Sequence, residues 1–426
     1  SLFVGWRNQD QEDREILPSP FVVELRELFQ KAVPPLTVDE PAPDCFIADL
    51  HQVASPEDFR LSARYHQATI KSPSLCALLE PAQAMIEMEQ TRATSKNFSV
   101  YDGMIESPEL KADLLRRFGE KHQFSVSQLE EYLKFPFSFF TKYVLKIKET
   151  RYADGEITPL LRGVILHYAL KLFYEVYRQK PANTLKNTSP EERSLLIQNS
   201  LDRAFEEQRF ALSNIAPVVV ALEKARLNLL LDQFIQEEAA TEDSFVPWVL
   251  EYSFGTSSRP EQDPLSTALP FTYEVGEMQI MFAGIIDRID KDNLNRLRII
   301  DYKSSSAPTK KEIKEGLSLQ LSIYAAAAEA SFPGCSSVEG WYIPLLKKKP
   351  QEALFAGKES ESLKRNANAV AMISKAICGI RAGCFPPLPH QSLNLDYFTL
   401  PQAARYEAWR VAEKTDPFKE NPTPVH

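Results

Sequence analysis

The sequence predicts an α/β protein, on three observations. Residues 159–240 carry long amphipathic segments in which apolar residues recur at helical spacing. Between 246 and 303 the composition shifts to runs rich in Val, Ile, Tyr and Phe separated by turn residues, which read as strands. Beyond 310 the two patterns alternate: "KKEIKEGLSLQLSIYAAAAEA" reads as a helix, "VEGWYIPLL" as a strand, and "SLKRNANAVAMISKAICGIRAG" as a helix before a Pro-rich tail.

Taken in order, residues 1–30 read as a short apolar run, the polar loop "NQDQEDRE", and a helix in "LPSPFVVELRELFQ" with Ser19 as cap and Pro20 in its first turn. Residues 31–60 are Pro-rich and polar, a connector. Residues 60–95 have helical composition, clearest in "SLCALLEPAQAMIEMEQTRA", and "NFSVYDGMI" reads as a short extended piece. A new unit begins near 124, where Ser127 and Glu130 form a capping-box pattern opening "SQLEEYLKFPFSFFTKYVLKI". Pro136 should kink or split that segment, and its aromatic residues belong to a core. Three helices follow: "TPLLRGVILHYALKLFYEVYRQ", "SPEERSLLIQNSLDRAFEEQRF" and "VVVALEKARLNLLLDQFIQEEAA". "WVLEYSFG" is a strand, and a Pro/Ser-rich loop occupies 256–270. "YEVGEMQIMFAGIIDRID" and "RLRIIDYKS" form a hairpin across the turn-rich "KDNLN".

The 426 residues suffice for two or three domains, and 44% hydrophobic with 25% charged residues is ordinary globular composition. No run of 18 apolar residues occurs, so no membrane-spanning helix is expected. The chain starts at Ser1 with no basic-then-apolar signal segment and reads as a processed or excised piece of something longer. Five scattered cysteines without a C-x-x-C pair fit free thiols in a reducing, cytoplasmic setting and argue against a zinc ribbon. A net charge of −9 is awkward for a nucleic-acid binder unless it hides a local basic patch. No Walker-type loop is present, so no ATP site is expected in this chain.

The chemistry concentrates in "MFAGIIDRIDKDNLNRLRIIDY" and the "KSSS" after it. Carboxylates are poor strand formers and costly to bury, yet Asp287 lies in one apolar run and Asp301 ends the next. Strand alternation puts Asp301 and Lys303 on one face with Tyr302 opposite, and Asp287 on the neighbouring strand reaches the same face. Two adjacent carboxylates are kept together by a shared proton or a cation. Oxygen donors at this density, with the Tyr302 carbonyl as one more, suit Mg2+ or Mn2+. A lysine two residues past a ligand can orient a water on the metal, help deprotonate it, and offset charge on a phosphate under attack. The alternative is that Asp287, Asp290, Asp301 and Lys303 are solvated hairpin-end charges. Gln320 and Tyr324, four apart in an apolar segment, share a helical face. His167, in "GVILHYALKLF", is either a satisfied core histidine or the third protein ligand this hairpin lacks.

The ordered set "RGVILHYAL", "VLEYSFG", "GIIDRID", "IIDYKS", "LQLSIY" resembles the nuclease domain of the RecB/AddB branch of the PD-(D/E)XK superfamily, over about residues 124–400. "SVSQLEEYLKFPFSFFTKYVL" resembles the opening of AddB-type nuclease domains, and "VYDGMI" and "LFVGWRNQDQEDREILPSPFVVEL" resemble the tail of the helicase-like part before it. The resemblance implies a PD-(D/E)XK (restriction-endonuclease-like) mixed sheet flanked by helices, with a helical insertion at about 160–240 and a mostly helical N-terminal portion. It divides the chain into a helicase-like remnant and linker (1–60), a helical connector (61–123), the nuclease domain (124–400) and a C-terminal tail (401–426). It implies His167, Asp287, Asp301 and the Tyr302 carbonyl as metal ligands, and Lys303 as the catalytic lysine beside the acidic Asp287 and Asp301. Gln320 and Tyr324 would support the site and contact the DNA strand. Glu251 matches an acidic residue of the first strand, either a strand-edge carboxylate or a support behind the ligands.

Many AddB-like domains hold an iron–sulfur cluster with one cysteine before the nuclease core and three after it. Here Phe135 stands at the first position, "SLNLDYFTLPQAARY" has no cysteine, and Cys378 and Cys384 lie too early. The expectation is therefore no iron–sulfur cluster, with Phe135 and its neighbours packing that join apolar. Arg288, Lys310, Lys311 and Lys314, and Lys347, Lys348 and Lys349, would hold the phosphate backbone in a salt-sensitive way or else are solvated. The resulting expectation is a Mg2+- or Mn2+-dependent deoxyribonuclease, an exonuclease of DNA repair and recombination acting on linear or single-stranded DNA ends beside a helicase partner. The alternative is a non-catalytic DNA-binding or scaffolding subunit that keeps the fold.

Overall fold

The structure, a computed structural model, describes residues 84–147, 155–390 and 401–417 with short gaps, and the isolated residue 24. The chain divides into two compact units, 1–89 and 90–426, and the described elements belong almost wholly to the second. The Ser19-capped helix, the connector at 31–60, most of the helical segment 60–95, and Lys347–Lys349 lie outside the described residues.

Helix α1 (Pro108–Arg117) leads to strand β1 (Gln123–Ser125) and helix α2 (Val126–Lys134). Helices α3 (Pro159–Glu175), α4 (Pro190–Glu207) and α5 (Pro217–Ala240) follow, then strands β2 (Val246–Phe254), β3 (Phe271–Val275), β4 (Met278–Lys291) and β5 (Arg296–Lys303). Helix α6 (Gln320–Ser331), strands β6 (Ser337–Pro344) and β7 (Gln351–Ala353), and helix α7 (Ala367–Ala382) complete the core, with short helical turns between. The starts of α1, α3 and α4 share one device. Ser107, Thr158 and Ser189 each accept a backbone N–H three residues on, and a proline takes the first helical position, where its missing N–H costs nothing.

The sheet is mixed and built on β4, 14 residues long. The first half of β4 pairs with β1 in parallel and with β3 antiparallel; its second half pairs antiparallel with β2 on one side and β5 on the other. Beyond β5 lie β6, parallel, and β7, antiparallel to β6. Both faces are covered. One core packs the sheet against α1, α2, α6 and α7, and a second packs it against α3, α4 and α5. Burial on both faces is why β5 reads as a nearly continuous apolar run. Its Leu297 and Ile299 enter the first core, and Ile300 and Tyr302 the second.

Four local readings change. The capping box at α2 is Ser125 with Gln128, not Ser127 with Glu130, because the chain leaves β1 at Ser125 and turns directly into the helix. Segment 310–331 is two helices, not one. Lys310–Lys314 ends at Gly316, whose φ of +74° suits a residue without a Cβ, and α6 starts afresh at Gln320. "NFSVYDGMI" is not extended: Ser99 and Asp102 cap each other around the short turn Val100–Asp102. The segment expected as a tail carries two short helical turns and is fastened to the domain. The buried ammonium of Lys414 lies 3.2 Å from Asp102 Oδ2 and 3.1 Å from the Ser95 carbonyl. Phe135 is fully buried beside Ala404 and Phe137, an apolar join that stabilises by about 2–3 kcal/mol. Pro136 splits its segment as expected: α2 stops at Lys134 and a new turn begins at Pro136.

Candidate active site

Three carboxylates meet on one rung of the sheet. Continuing the β2–β4 register past Leu250–Arg288 sets Glu251 opposite Asp287, and continuing the β4–β5 register past Arg288–Ile300 sets Asp287 opposite Asp301. Ladder pairing lapses at this rung on both sides. β4 and β5 part after Arg288–Ile300, and Asp287 Oδ2 accepts the Tyr302 N–H at 2.8 Å in place of a backbone acceptor. On the other side Glu251 takes φ +52°, a left-handed conformation that costs a side-chain-bearing residue about 1–2 kcal/mol. The effect on β2 is a slip in its alternation: Val249, Tyr252 and Phe254 enter the first core while Leu250 enters the second. Strain of this kind collects where a side chain must be aimed.

The opening admits a group from each face of the sheet. From α3, His167 places Nδ1 at 3.3 Å from Asp287 Oδ1 and Nε2 at 3.1 Å from the Tyr302 carbonyl. From α6, Gln320 donates its amide to Asp301 Oδ1 at 2.5 Å and accepts from Lys303 Nζ at 2.7 Å. Lys303 Nζ also lies 2.6 Å from Asp301 Oδ2, closing a triangle of three side chains. Alternation along β5 therefore works as read from the sequence: Asp301 and Lys303 face α6, while the Tyr302 ring enters the opposite core. Tyr324 is buried beneath the triangle and does not reach an exposed DNA strand. Its ring lies against Gly284, where an added Cβ would stand 2.8 Å from Tyr324 Cε1, so the glycine leaves room for the tyrosine.

The electrostatics are those of crowded acids short of positive charge. Burial raises the Asp301 carboxyl; Lys303 opposes this and Asp287 adds to it, leaving the group at about 7. Burial alone would lower His167, but the Asp287 carboxylate outweighs it, with Asp301 and Glu251 contributing, and lifts the imidazole to about 9. Burial likewise works against the Lys303 ammonium, and the Asp301 ion pair more than offsets it, so Lys303 stays a cation. Burial and the two aspartates push the Tyr324 hydroxyl up, so it stays neutral.

The donors fit a hard divalent cation. One ligand atom from each of His167, Glu251 and Asp287 lies within 4.8 Å of the others, and the Tyr302 carbonyl borders the same space. Glu251 thus stands among the candidate ligands themselves. Asp301 is not part of this triple; both its oxygens face Lys303 and Gln320.

Other expectations land elsewhere. Arg288 does not reach for DNA. Its face of the sheet is covered by α3 and α5, and the side chain is buried with its guanidinium on Asp290 at 2.6 and 2.7 Å, Glu238 at 2.8 Å and the Tyr302 hydroxyl at 3.2 Å. Lys311 and Lys314 are exposed on the short helix after the site, and Lys310 begins that helix. Glu130, assigned from the sequence to a cap on its own helix, instead accepts the N–H groups of Leu319 and Gln320. No local sequence signal points there, since donor and acceptor lie 189 and 190 residues apart.

A mixed sheet with an Asp…Asp-x-Lys pair at its opened rung defines a nuclease-type site. Residues 123–392 match the PD-(D/E)XK nuclease superfamily, and the chain belongs to it. It is also similar to bacterial proteins that are each named as the AddB-type component of an ATP-dependent helicase/deoxyribonuclease. That of Bacillus subtilis (strain 168) is 27% identical over 335 residues, covering 76% of this chain and 28% of the relative. That of Lysinibacillus sphaericus (strain C3-41) is 29% identical over 223 residues, covering 49% and 18%. That of Caldanaerobacter subterraneus subsp. tengcongensis is 27% identical over 354 residues, covering 78% and 29%. The chain thus spans less than a third of the length of these relatives. Among the described residues no helix is long and apolar enough to cross a membrane.

Proposed function

We propose that the chain is a Mg2+- or Mn2+-dependent deoxyribonuclease that hydrolyses phosphodiester bonds at linear or single-stranded DNA ends, in the cytoplasm and beside a helicase partner. The observation that carries this reading is the single rung joining Glu251, Asp287 and Asp301, flanked by His167 and Lys303. Asp287, His167, the Tyr302 carbonyl and Glu251 would hold the cation, with Asp301 joining them from its place beside Lys303. When bound, the cation supplies Lewis acidity toward a phosphate oxygen and a more acidic water. Lys303, a fixed ammonium gripped by Asp301 and Gln320, donates to a phosphate oxygen as negative charge builds there. Lys310, Lys311 and Lys314 supply sequence-independent, salt-sensitive contact with the DNA backbone. The helicase partner rests on the names of the relatives.

The test is cleavage of end-labelled linear DNA by the purified chain in Mn2+. Lys303→Ala is expected to lower the rate by about 100- to 1,000-fold, the usual loss when one charge-stabilising donor is removed. Equal rates for the two proteins would refute the mechanism and leave the scaffolding reading. A second expectation concerns Glu251. Replacing Glu251 by glycine removes both the left-handed strain and one of the crowded carboxylates, so the metal-free variant should melt no lower than the parent and up to a few degrees higher. Its Mn2+ affinity should drop about tenfold or more. A lower Tm with unchanged Mn2+ uptake, by calorimetry, would show that Glu251 serves the fold alone.

A further inference from the structure

We propose that Glu130 is a positioning residue of the cleavage site: by capping α6 it sets the amide of Gln320 that links Asp301 to Lys303. The inference rests on the nuclease reading above. Helix α6 starts after Gly316 with Leu319 at its cap position, and leucine offers no oxygen to the free N–H groups of the first turn. Glu130 Oε1, from α2, accepts the N–H of Leu319 at 2.7 Å and that of Gln320 at 3.2 Å. A carboxylate at a helix N-terminus is favoured by both the hydrogen bonds and the helix dipole.

Three observations join this cap to the site. Glu130 is free for the task because the α2 capping box uses Ser125 and Gln128, two residues earlier than its own spacing with Ser127 would place it. Its side chain is 17% exposed, and the nearby Lys134 ammonium, 4.0 Å away, leaves Oε1 to the α6 amides. The residue whose backbone it holds is the one whose side chain bridges the acid and the lysine, at 2.5 and 2.7 Å. A shift of α6 by a fraction of an ångström therefore moves Gln320 off one partner or the other, and misplacement on that scale slows reactions strongly.

The test compares the parent chain with Glu130→Ala, Glu130→Gln, Gln320→Ala and the Glu130→Ala/Gln320→Ala double variant. Two measurements are made on each: DNA cleavage kinetics in Mn2+, and hydrogen exchange of the peptide spanning Ser318–Leu321. Glu130→Ala should speed exchange at Leu319 and Gln320 and lower kcat by about 10- to 100-fold with KM little changed. Glu130→Gln, whose amide oxygen still accepts both N–H groups, should recover to within about fivefold of the parent. In the Gln320→Ala background, Glu130→Ala should add less than about twofold, since both act through one amide. Losses that multiply in the double variant, or exchange unchanged in Glu130→Ala, would overturn the proposal. A parent chain that does not cleave DNA would sink the nuclease reading instead, and the exchange result would then decide alone whether Glu130 holds α6.

Discussion

Asp287→Asn is expected to abolish DNA cleavage, by about 1,000-fold or more, while leaving the fold standing. The structural half follows from what Asp287 does in the ladder. Its Oδ2 accepts the Tyr302 N–H where β4 and β5 part, and an asparagine carbonyl oxygen can accept the same bond. The chemical half follows from charge. Asp287 lies at the centre of the rung between Glu251 and Asp301 and within reach of His167, so the substitution removes the carboxylate most central to any cation held there. Calorimetry should show Mn2+ uptake lost. The metal-free variant carries a second signature. Burial lowers His167 and Asp287 is the main group raising it to about 9, so its titration by NMR should fall back towards the ordinary imidazole range. A histidine raised in the folded state stabilises fully below its unfolded value near 6.5, and that contribution is lost as pH climbs through about 9. The parent should therefore lose stability over that window, and Asp287→Asn should flatten the decline. A variant that keeps cleavage, or that unfolds outright, contradicts this account of Asp287.

How much of this was legible in the sequence differs from residue to residue, for physical reasons. The β4–β5 hairpin could be read because two apolar runs flank a short polar turn, and alternation then put Asp301 and Lys303 on one face. The set His167, Asp287, Asp301, Lys303, Gln320 was visible as an ordered series of motifs, and the structure gathers it from α3, β4, β5 and α6. Glu251 was harder, because its role depends on a backbone φ of +52° that no local propensity dictates; the opening of the rung imposes it. Glu130 followed the wrong rule. Its spacing from Ser127 satisfies a capping box, but β1 ends at Ser125 and hands the cap to Ser125, and the partner Glu130 takes is remote in sequence. The break before α6 was missed for a related reason: Gly316 sits in a strongly helical composition, and its left-handed turn shows only once α7 packs beside it, the Asn368 carbonyl oxygen 2.9 Å from where a Cβ would stand. Arg288 looked exposed because it follows Asp287 in a charged motif. The helical insertion covers its face and turns a candidate DNA contact into a buried ion pair.

That burial leads to the largest stability effect expected in the domain. Arg288→Ala should destabilise the protein by roughly 3–5 kcal/mol, the usual consequence of stripping one partner from a buried pair. The guanidinium makes two bonds to Asp290, at 2.6 and 2.7 Å, one to Glu238 at 2.8 Å and one to the Tyr302 hydroxyl at 3.2 Å, and its centre stacks 3.9 Å above the Tyr174 ring. Asp290 is only 1% exposed, so without Arg288 its charge has no route to water. For a domain of this size the loss corresponds to a fall in Tm of roughly 10 °C. Lost packing would lower Tm too, and two measurements separate the causes. Burial already raises the Asp290 carboxyl against the pull of Arg288, and removing the arginine must raise it further. A carboxyl raised in the folded state adds stability that is complete below its unfolded value and disappears as pH rises through the folded one, so the deficit of the variant should shrink between pH 8 and pH 5. Adding Asp290→Asn to Arg288→Ala should recover part of the loss by removing the stranded charge. The same pair bears on the active site, because the Tyr302 ring it anchors belongs to the residue whose carbonyl and N–H meet His167 and Asp287. A deficit independent of pH and untouched by Asp290→Asn would show that Arg288 acts by filling space, and that Tyr302 is held by the core of α3, α4 and α5 instead.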